Sequence, residues 1–152
     1  MYEEVYEKMK DSLLFQFHKL HSALFKVANK MIQASSVPVK IEQLPVLMCV
    51  YHYGAISQQA IADLIKRDKS SVLRTVAALE KKGLIEIIKD EQDRRKNVLK
   101  TTPTGVFLAV QIRDIMQDVE NEIARVFSSK PKKEVIEILK AKVDQLNILS
   151  IS

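Results

Sequence analysis

Between Ala109 and Val126 the apolar residues Ala109, Ile112, Met116, Val119, Ile123 and Val126 recur at steps of three, four, three, four and three. That rhythm marks one stripe of an α-helix, and such a stripe needs an apolar partner along its length. Similar stepping opens the chain, at Leu13, Phe17, Leu20, Leu24, Val27 or Ala28, and Met31, and predicts one long helix over residues 3–33. It closes the chain too, at Val135, Leu139, Val143, Leu146 and Leu149. Stripes this long cannot all be buried on a small core. Either they cover each other within one chain or they meet a second copy. Three striped helices at the two ends favour a dimerisation region.

The middle of the chain is more compact. Only three glycines and four prolines occur, so each break is informative. S-S-V-P at 35–38 ends the first helix. A helix over roughly 42–53 is apolar nearly all round and stops at Gly54. Ser57 is placed to cap a short helix over 58–65. A turn over 66–68 leads to another helix, opened by Asp68 or Lys69, that runs to about Lys82 and stops at Gly83. Residues 84–89 and 97–101 read as strands joined by a charged loop. Thr102 followed by Pro103 is an N-cap with proline at the first helical position. The expected fold is mainly α with a small two- or three-stranded β wing: a winged helix–turn–helix flanked by dimerisation helices. The expected divisions are an N-terminal dimerisation helix at 1–34, a winged helix–turn–helix at 40–102, and C-terminal dimerisation helices at 103–152.

Charge is placed unevenly. The net formal charge is +5, and residues 57–105 alone carry 11 Lys and Arg against 7 Asp and Glu. A basic central third favours an anionic partner there, with double-stranded DNA first. At 47% hydrophobic the chain can bury a core, yet it has no 18-residue apolar run, so no membrane partner is implied. The acidic, amphipathic first ten residues are unlike a secretory signal, and the lone Cys49 allows no intramolecular disulfide. A cytoplasmic location is expected.

On the helix after Asp68, Val72, Thr75, Val76 and Leu79 share the inward arc. Ser70, Arg74, Ala77 and Lys81 lie opposite, with Ser71, Leu73 and Ala78 flanking them. A small, hydroxylic and basic face suits a helix entering a DNA major groove. Small residues permit close approach, and an Arg can bridge guanine O6 and N7. Ile61 and Leu64, with Val72 and Val76, are expected to form the helix–turn–helix core, and Ala62 to allow the close crossing. Lys69, Ser70, Ser71, Leu73, Arg74 and Lys81 are therefore the candidate recognition-helix contacts. Gln58, Gln59, Lys66 and Arg67 are candidate phosphate contacts. In the charged loop, Lys89, Arg94, Arg95 and Lys96 are candidates for the wing, where an Arg can enter a minor groove. Asp93 would repel phosphate if it pointed outward, so it is expected to close the turn or pair with a basic neighbour.

These motifs resemble the MarR/SlyA family of bacterial transcriptional regulators. The resemblance is carried by S-Q-Q-A-I-A-D-L, D-K-S-S-V-L-R-T-V-A-A-L-E-K-K-G-L-I, D-E-Q-D-R-R-K-N-V and T-T-P-T-G. It implies a homodimer formed by the terminal helices, binding pseudo-palindromic operators, usually as a repressor, with a small ligand or an oxidant modulating binding. It further implies that Ser70, Ser71 and Arg74 touch DNA, that Arg95 enters the minor groove, and that Asp93 braces the wing. The chain departs from the family pattern at Leu73, Ala78, Ile87 and Thr101, and these departures bear on operator preference.

Phe17, His21, Phe25, Tyr51 and Tyr53 are candidates for an effector pocket between the core and the dimer helices, or else simple core. Cys49 lies in an apolar helix without an adjacent Lys or Arg, so an activated thiolate is not indicated. His18, His21 and His52 are too few for a convincing metal site. No glycine-rich phosphate loop, nucleophile elbow or paired catalytic carboxylates occur, so neither an enzyme nor a cofactor is expected. The competing reading is a winged-helix protein-interaction module whose basic face docks an acidic partner.

Overall fold

The structure is a computed structural model that describes residues 2–127 and 129–151. Its helices are α1 (Tyr2–Met9), α2 (Leu13–Ala34), α3 (Leu44–Tyr53, preceded by a 3-10 turn at Ile41–Gln43), α4 (Gln58–Ile65), α5 (Lys69–Lys81), α6 (Pro103–Val126) and α7 (Lys132–Ile151). Between α5 and α6 lies an antiparallel hairpin, β1 (Ile85–Lys89) and β2 (Asn97–Thr101), in which Ile85 faces Thr101 and Lys89 faces Asn97. A third strand is reduced to one bridge, where Ile56 and Leu99 exchange backbone hydrogen bonds of 3.2 and 2.8 Å. The chain divides into two compact units, residues 1–116 and 117–152, so the division falls inside α6.

The first correction concerns the N-terminus. The single helix expected over 3–33 is broken at 10–12. Ser12 adopts an extended conformation and its side chain accepts from the Phe15 amide at 3.2 Å, so it caps a new helix. A serine hydroxyl that satisfies an orphan amide competes with helix continuation, although the apolar stepping resumes directly after it. The Tyr6 and Phe15 rings meet edge to face across the break, 5.7 Å apart.

Local signals set the remaining boundaries. Ser57 accepts from Ala60, and Asp68 accepts from the Ser71 amide at 2.8 Å, so both helices of the helix–turn–helix begin on side-chain caps. Gly83, at φ 67°, ends α5. Its amide donates to Glu80 and the Leu84 amide to Leu79, which satisfies the last carbonyls. Thr102 ties three elements together: its hydroxyl donates to the Gly83 carbonyl (2.6 Å) and accepts from the Gly105 amide (3.0 Å), and its own amide donates to the Leu84 carbonyl (3.1 Å).

The core of the first unit is shared by α3 (Leu44, Val46, Leu47, Val50), α4 (Ile61, Ala62), α5 (Val72, Val76, Leu79), the hairpin (Ile85, Leu99) and the start of α6 (Leu108, Ile112). Ala62 is buried, as a close crossing requires, but Leu64 is 49% exposed and Ile65 packs against the core instead. An eight-residue helix has little stripe to fix its rotation, so packing chose the neighbour. Each fully buried aliphatic on α5 stabilises by about 1.5–3 kcal/mol. Three of them on one face hold the helix and leave its other face free.

In the second unit, Lys132 pairs with Glu120 and so ties the start of α7 to α6, while Lys130 pairs with Glu134 across the start of α7. Leu139, Val143, Leu146 and Leu149 remain 54–70% exposed.

Candidate nucleic-acid interface

The turn between α4 and α5 sets the aim of α5. Lys66 takes a left-handed conformation (φ 55°), which ends α4 and reverses the chain within three residues. Arg67 directs its guanidinium to the Glu42 carbonyl at 2.7 Å, so part of this candidate phosphate contact serves the fold. At the other end of α5, Lys82 donates through Nζ to the Pro38 carbonyl (2.6 Å) and to Gln43 Oε1 (3.1 Å). Both ends of α5 are thus strutted to the segment 38–43.

The face of α5 turned from the core carries Lys69, Ser70, Leu73, Arg74, Ala77 and Lys81, all exposed. Ser71 is half-buried. Its amide is committed to Asp68, and its carbonyl accepts from the Thr75 hydroxyl at 3.1 Å, so it stands nearer the core than Ser70 does. Lys81 lies about 18 Å further along the axis than Lys69, beside the exposed Glu80. The acid-free part of this face is therefore its N-terminal half.

Gln58 and Gln59 at the start of α4, Lys69 at the start of α5, and Ile87, Asn97 and Leu99 at the base of the hairpin line one cleft of about 200 Å³. Three of the candidate polar residues are thereby brought together. Gln59 gives one amide hydrogen to Asp63 at 2.9 Å. Asn97, which the sequence reading did not single out, joins them because its place as first residue of β2 sets it beside the cleft.

The wing loop is braced from within. The Asp90 amide donates to the Lys96 carbonyl at 2.9 Å, and Asp90 Oδ1 accepts from the amides of Gln92 (2.7 Å) and Asp93 (3.2 Å). Asp93 Oδ1 accepts from the Arg95 amide at 3.1 Å, its carbonyl accepts from the Lys96 amide at 2.9 Å, and Oδ2 lies 3.8 Å from Lys96 Nζ. Asp90 and Asp93 are consumed inside the loop, while Glu91, Arg94, Arg95 and Lys96 are left exposed around it. The guanidinium groups of Arg74, Arg94 and Arg95 make no hydrogen bond or ion pair among the described residues. Asp90 was missed by sequence reasoning. Its signal is an Asp at the strand end, where a short side chain can gather the amides two and three residues on.

Among the described residues the aromatic candidates stay at or near the surface of α2 and α3. The His21 and Phe25 rings on α2 lie 4.5 Å apart, tilted by 39°, with Phe17 one turn earlier, and Phe17 and Phe25 are exposed. Tyr53 is exposed against His52 (ring centroids 5.0 Å), and Tyr51 is half-buried. Burial pushes the Cys49 thiol pKa up, in line with an unactivated cysteine.

Residues 39–96 match the MarR family model. A candidate transcriptional regulatory protein for the hcr operon of Thauera aromatica is 30% identical over 94 residues, covering 62% of this chain and 57% of that protein. The regulator BilQ of Clostridioides difficile is 33% identical over 72 residues, covering 47% and 49%. The chain thus spans about half the length of the curated relatives it matches. Among solved structures, CouR of Rhodococcus jostii bound to p-coumaroyl-CoA superposes with a TM-score of 0.75 at 19% identity, over 91% of this chain and 93% of that one. A cysteine-to-serine mutant of MarR from E. coli in complex with operator DNA gives 0.71 at 20%, over 84% and 90%. CouR bound to a 23-mer DNA duplex gives 0.78 at 16%, over 90% and 95%. The segment that matches the MarR family model holds α3, α4, α5, β1 and the wing loop, and β2 follows directly after it, so the matched residues fall within a winged helix–turn–helix fold.

Proposed function

We propose that this chain is a sequence-specific regulator of transcription that binds double-stranded DNA as a homodimer on a pseudo-palindromic operator and acts as a repressor. The observation that carries this reading is the pairing of two surfaces: the outward half-face of α5, with Ser70 and Arg74, and the braced wing with its exposed Arg94 and Arg95. A helix enters the major groove, and an arginine reaches the minor groove beside it. Lys66, Lys89 and Lys96 add phosphate contacts that fix register. The role of such a protein is binding, and it would work in the cytoplasm. No helix among the described residues is long and apolar enough to cross a membrane. The dimer is supported by the apolar faces left uncovered on α2 (Leu13, Phe17, Leu20) and α7 (Val143, Leu146), which a second copy would bury.

A dimer spaces its two recognition helices by about 34–36 Å, one turn of duplex. A small ligand that prefers a wrongly spaced dimer lowers DNA affinity by its differential affinity for the two forms. Phe17, His21, Phe25, Tyr51 and Tyr53 are the candidates for its site, completed by the second copy. CouR with p-coumaroyl-CoA supports a small-molecule effector in this fold.

The test is binding to duplex DNA across a salt series, with mass measured by sedimentation. A dimeric DNA binder gives a steep linear fall of log K with log salt. A monomer, or a chain indifferent to duplex DNA at every salt concentration, would show the reading wrong and favour a protein-docking module.

A further inference from the structure

Leu73 is out of keeping with its surroundings. It is 53% exposed on the outward face of α5, where its companions Lys69, Ser70, Arg74 and Lys81 are charged or hydroxylic. It is not part of the buried face, which Val72, Val76 and Leu79 already fill, but flanks the outward arc beside Arg74. Its neighbours one turn away on that face, Ser70 and Ala77, are small, so the leucine methyls project beyond them. Glu80 and Lys81 lie in the following turn, so Leu73 sits within the half of the face that carries no acid.

An apolar side chain brought against most base edges strips water from donors and acceptors without replacing their hydrogen bonds. Thymine alone among the four bases presents a methyl group in the major groove. We propose that Leu73 is a specificity-determining residue that reads the 5-methyl group of a thymine, one or two base pairs from the guanine contacted by Arg74. The short distance follows from their adjacency: consecutive α-carbons are about 3.8 Å apart, and stacked bases about 3.4 Å. This inference rests on the DNA-binding reading above.

The experiment begins with selection of bound duplexes from a random pool by the full-length protein. The best-bound duplex is then remade with deoxyuridine in place of each thymidine in turn, which removes the methyl group and leaves pairing intact. The wild-type chain is expected to lose about four-fold in affinity at one thymine per half-site, the worth of one buried methyl group. Leu73→Ala, on a solvent-facing position, is expected to keep its Tm, to bind the thymine duplex about four-fold more weakly, and to bind thymine and uracil duplexes alike. Two results overturn the inference while leaving DNA binding intact: no thymine methyl matters to the wild-type chain, or the methyl dependence survives in Leu73→Ala. Failure to enrich any duplex overturns the DNA-binding reading and this inference together.

Discussion

Gly105 lies against the carbonyl of Leu84, so close that a Cβ built on the glycine would penetrate the carbonyl oxygen. The contact joins the first turn of α6 to the residue just before β1, and Thr102 locks the same junction with its hydrogen bonds to Gly83, Leu84 and Gly105. Backbone atoms cannot swing aside as a side chain can. Gly105→Ala is expected to destabilise the fold by about 3 kcal/mol, at the upper end for overpacking, seen as a lower denaturant midpoint. A midpoint within error of wild type would mean that the junction is softer than it looks.

Asp90 holds two amides of the wing loop on one carboxylate oxygen. Asp90→Ala removes both bonds from an exposed loop, so global stability should move by no more than about 1 kcal/mol. Operator affinity is expected to fall by about five-fold, comparable to one lost hydrogen bond, because Arg94 and Arg95 lose their fixed presentation. Hydrogen exchange should show faster amides at Gln92 and Asp93 in the variant. Unchanged affinity with accelerated exchange would separate loop order from DNA contact.

Arg74 and Arg95 are exposed and their guanidinium groups are unpaired among the described residues, so truncating either should leave Tm unaltered. If they touch bases, Arg74→Ala and Arg95→Ala each weaken operator binding by about 1–3 kcal/mol. Fluorescence anisotropy at fixed salt measures this. Two variants that bind as tightly as wild type would remove both residues from the interface.

Cys49 has its thiol pKa raised by burial. A raised pKa leaves less thiolate at any given pH, and the thiolate is the nucleophile. Alkylation by iodoacetamide at pH 8 is therefore expected to be slower in the folded protein than after denaturation. Equal rates in the two states would show that the thiol is freely reached and unperturbed.

What the sequence made legible was mostly local. Ser57, Asp68, Gly83 and Thr102 mark helix ends through atoms within a few residues, so their roles could be read directly, and the wing follows from two short strands around a charged loop. The break at Ser12 was hidden because the apolar stepping continues on both sides of it. Leu64 and Ile65 were exchanged because only tertiary packing chooses between adjacent aliphatics on a short helix. The struts from Arg67 and Lys82 span separations of 25, 39 and 44 residues, and no pattern in the chain announces them. Among the described residues, Phe17, His21, Phe25 and Tyr53 are exposed and Tyr51 is half-buried, since aromatic spacing says nothing about what covers the rings.

Those struts have a mechanical consequence. Because Arg67 and Lys82 grip the segment 38–43 from opposite ends of α5, neither end of the helix can tip alone without breaking a bond to that segment. α5 behaves as the rung of a ladder: a shift in the chain emerging from α2 would carry the whole helix sideways, with its pitch preserved.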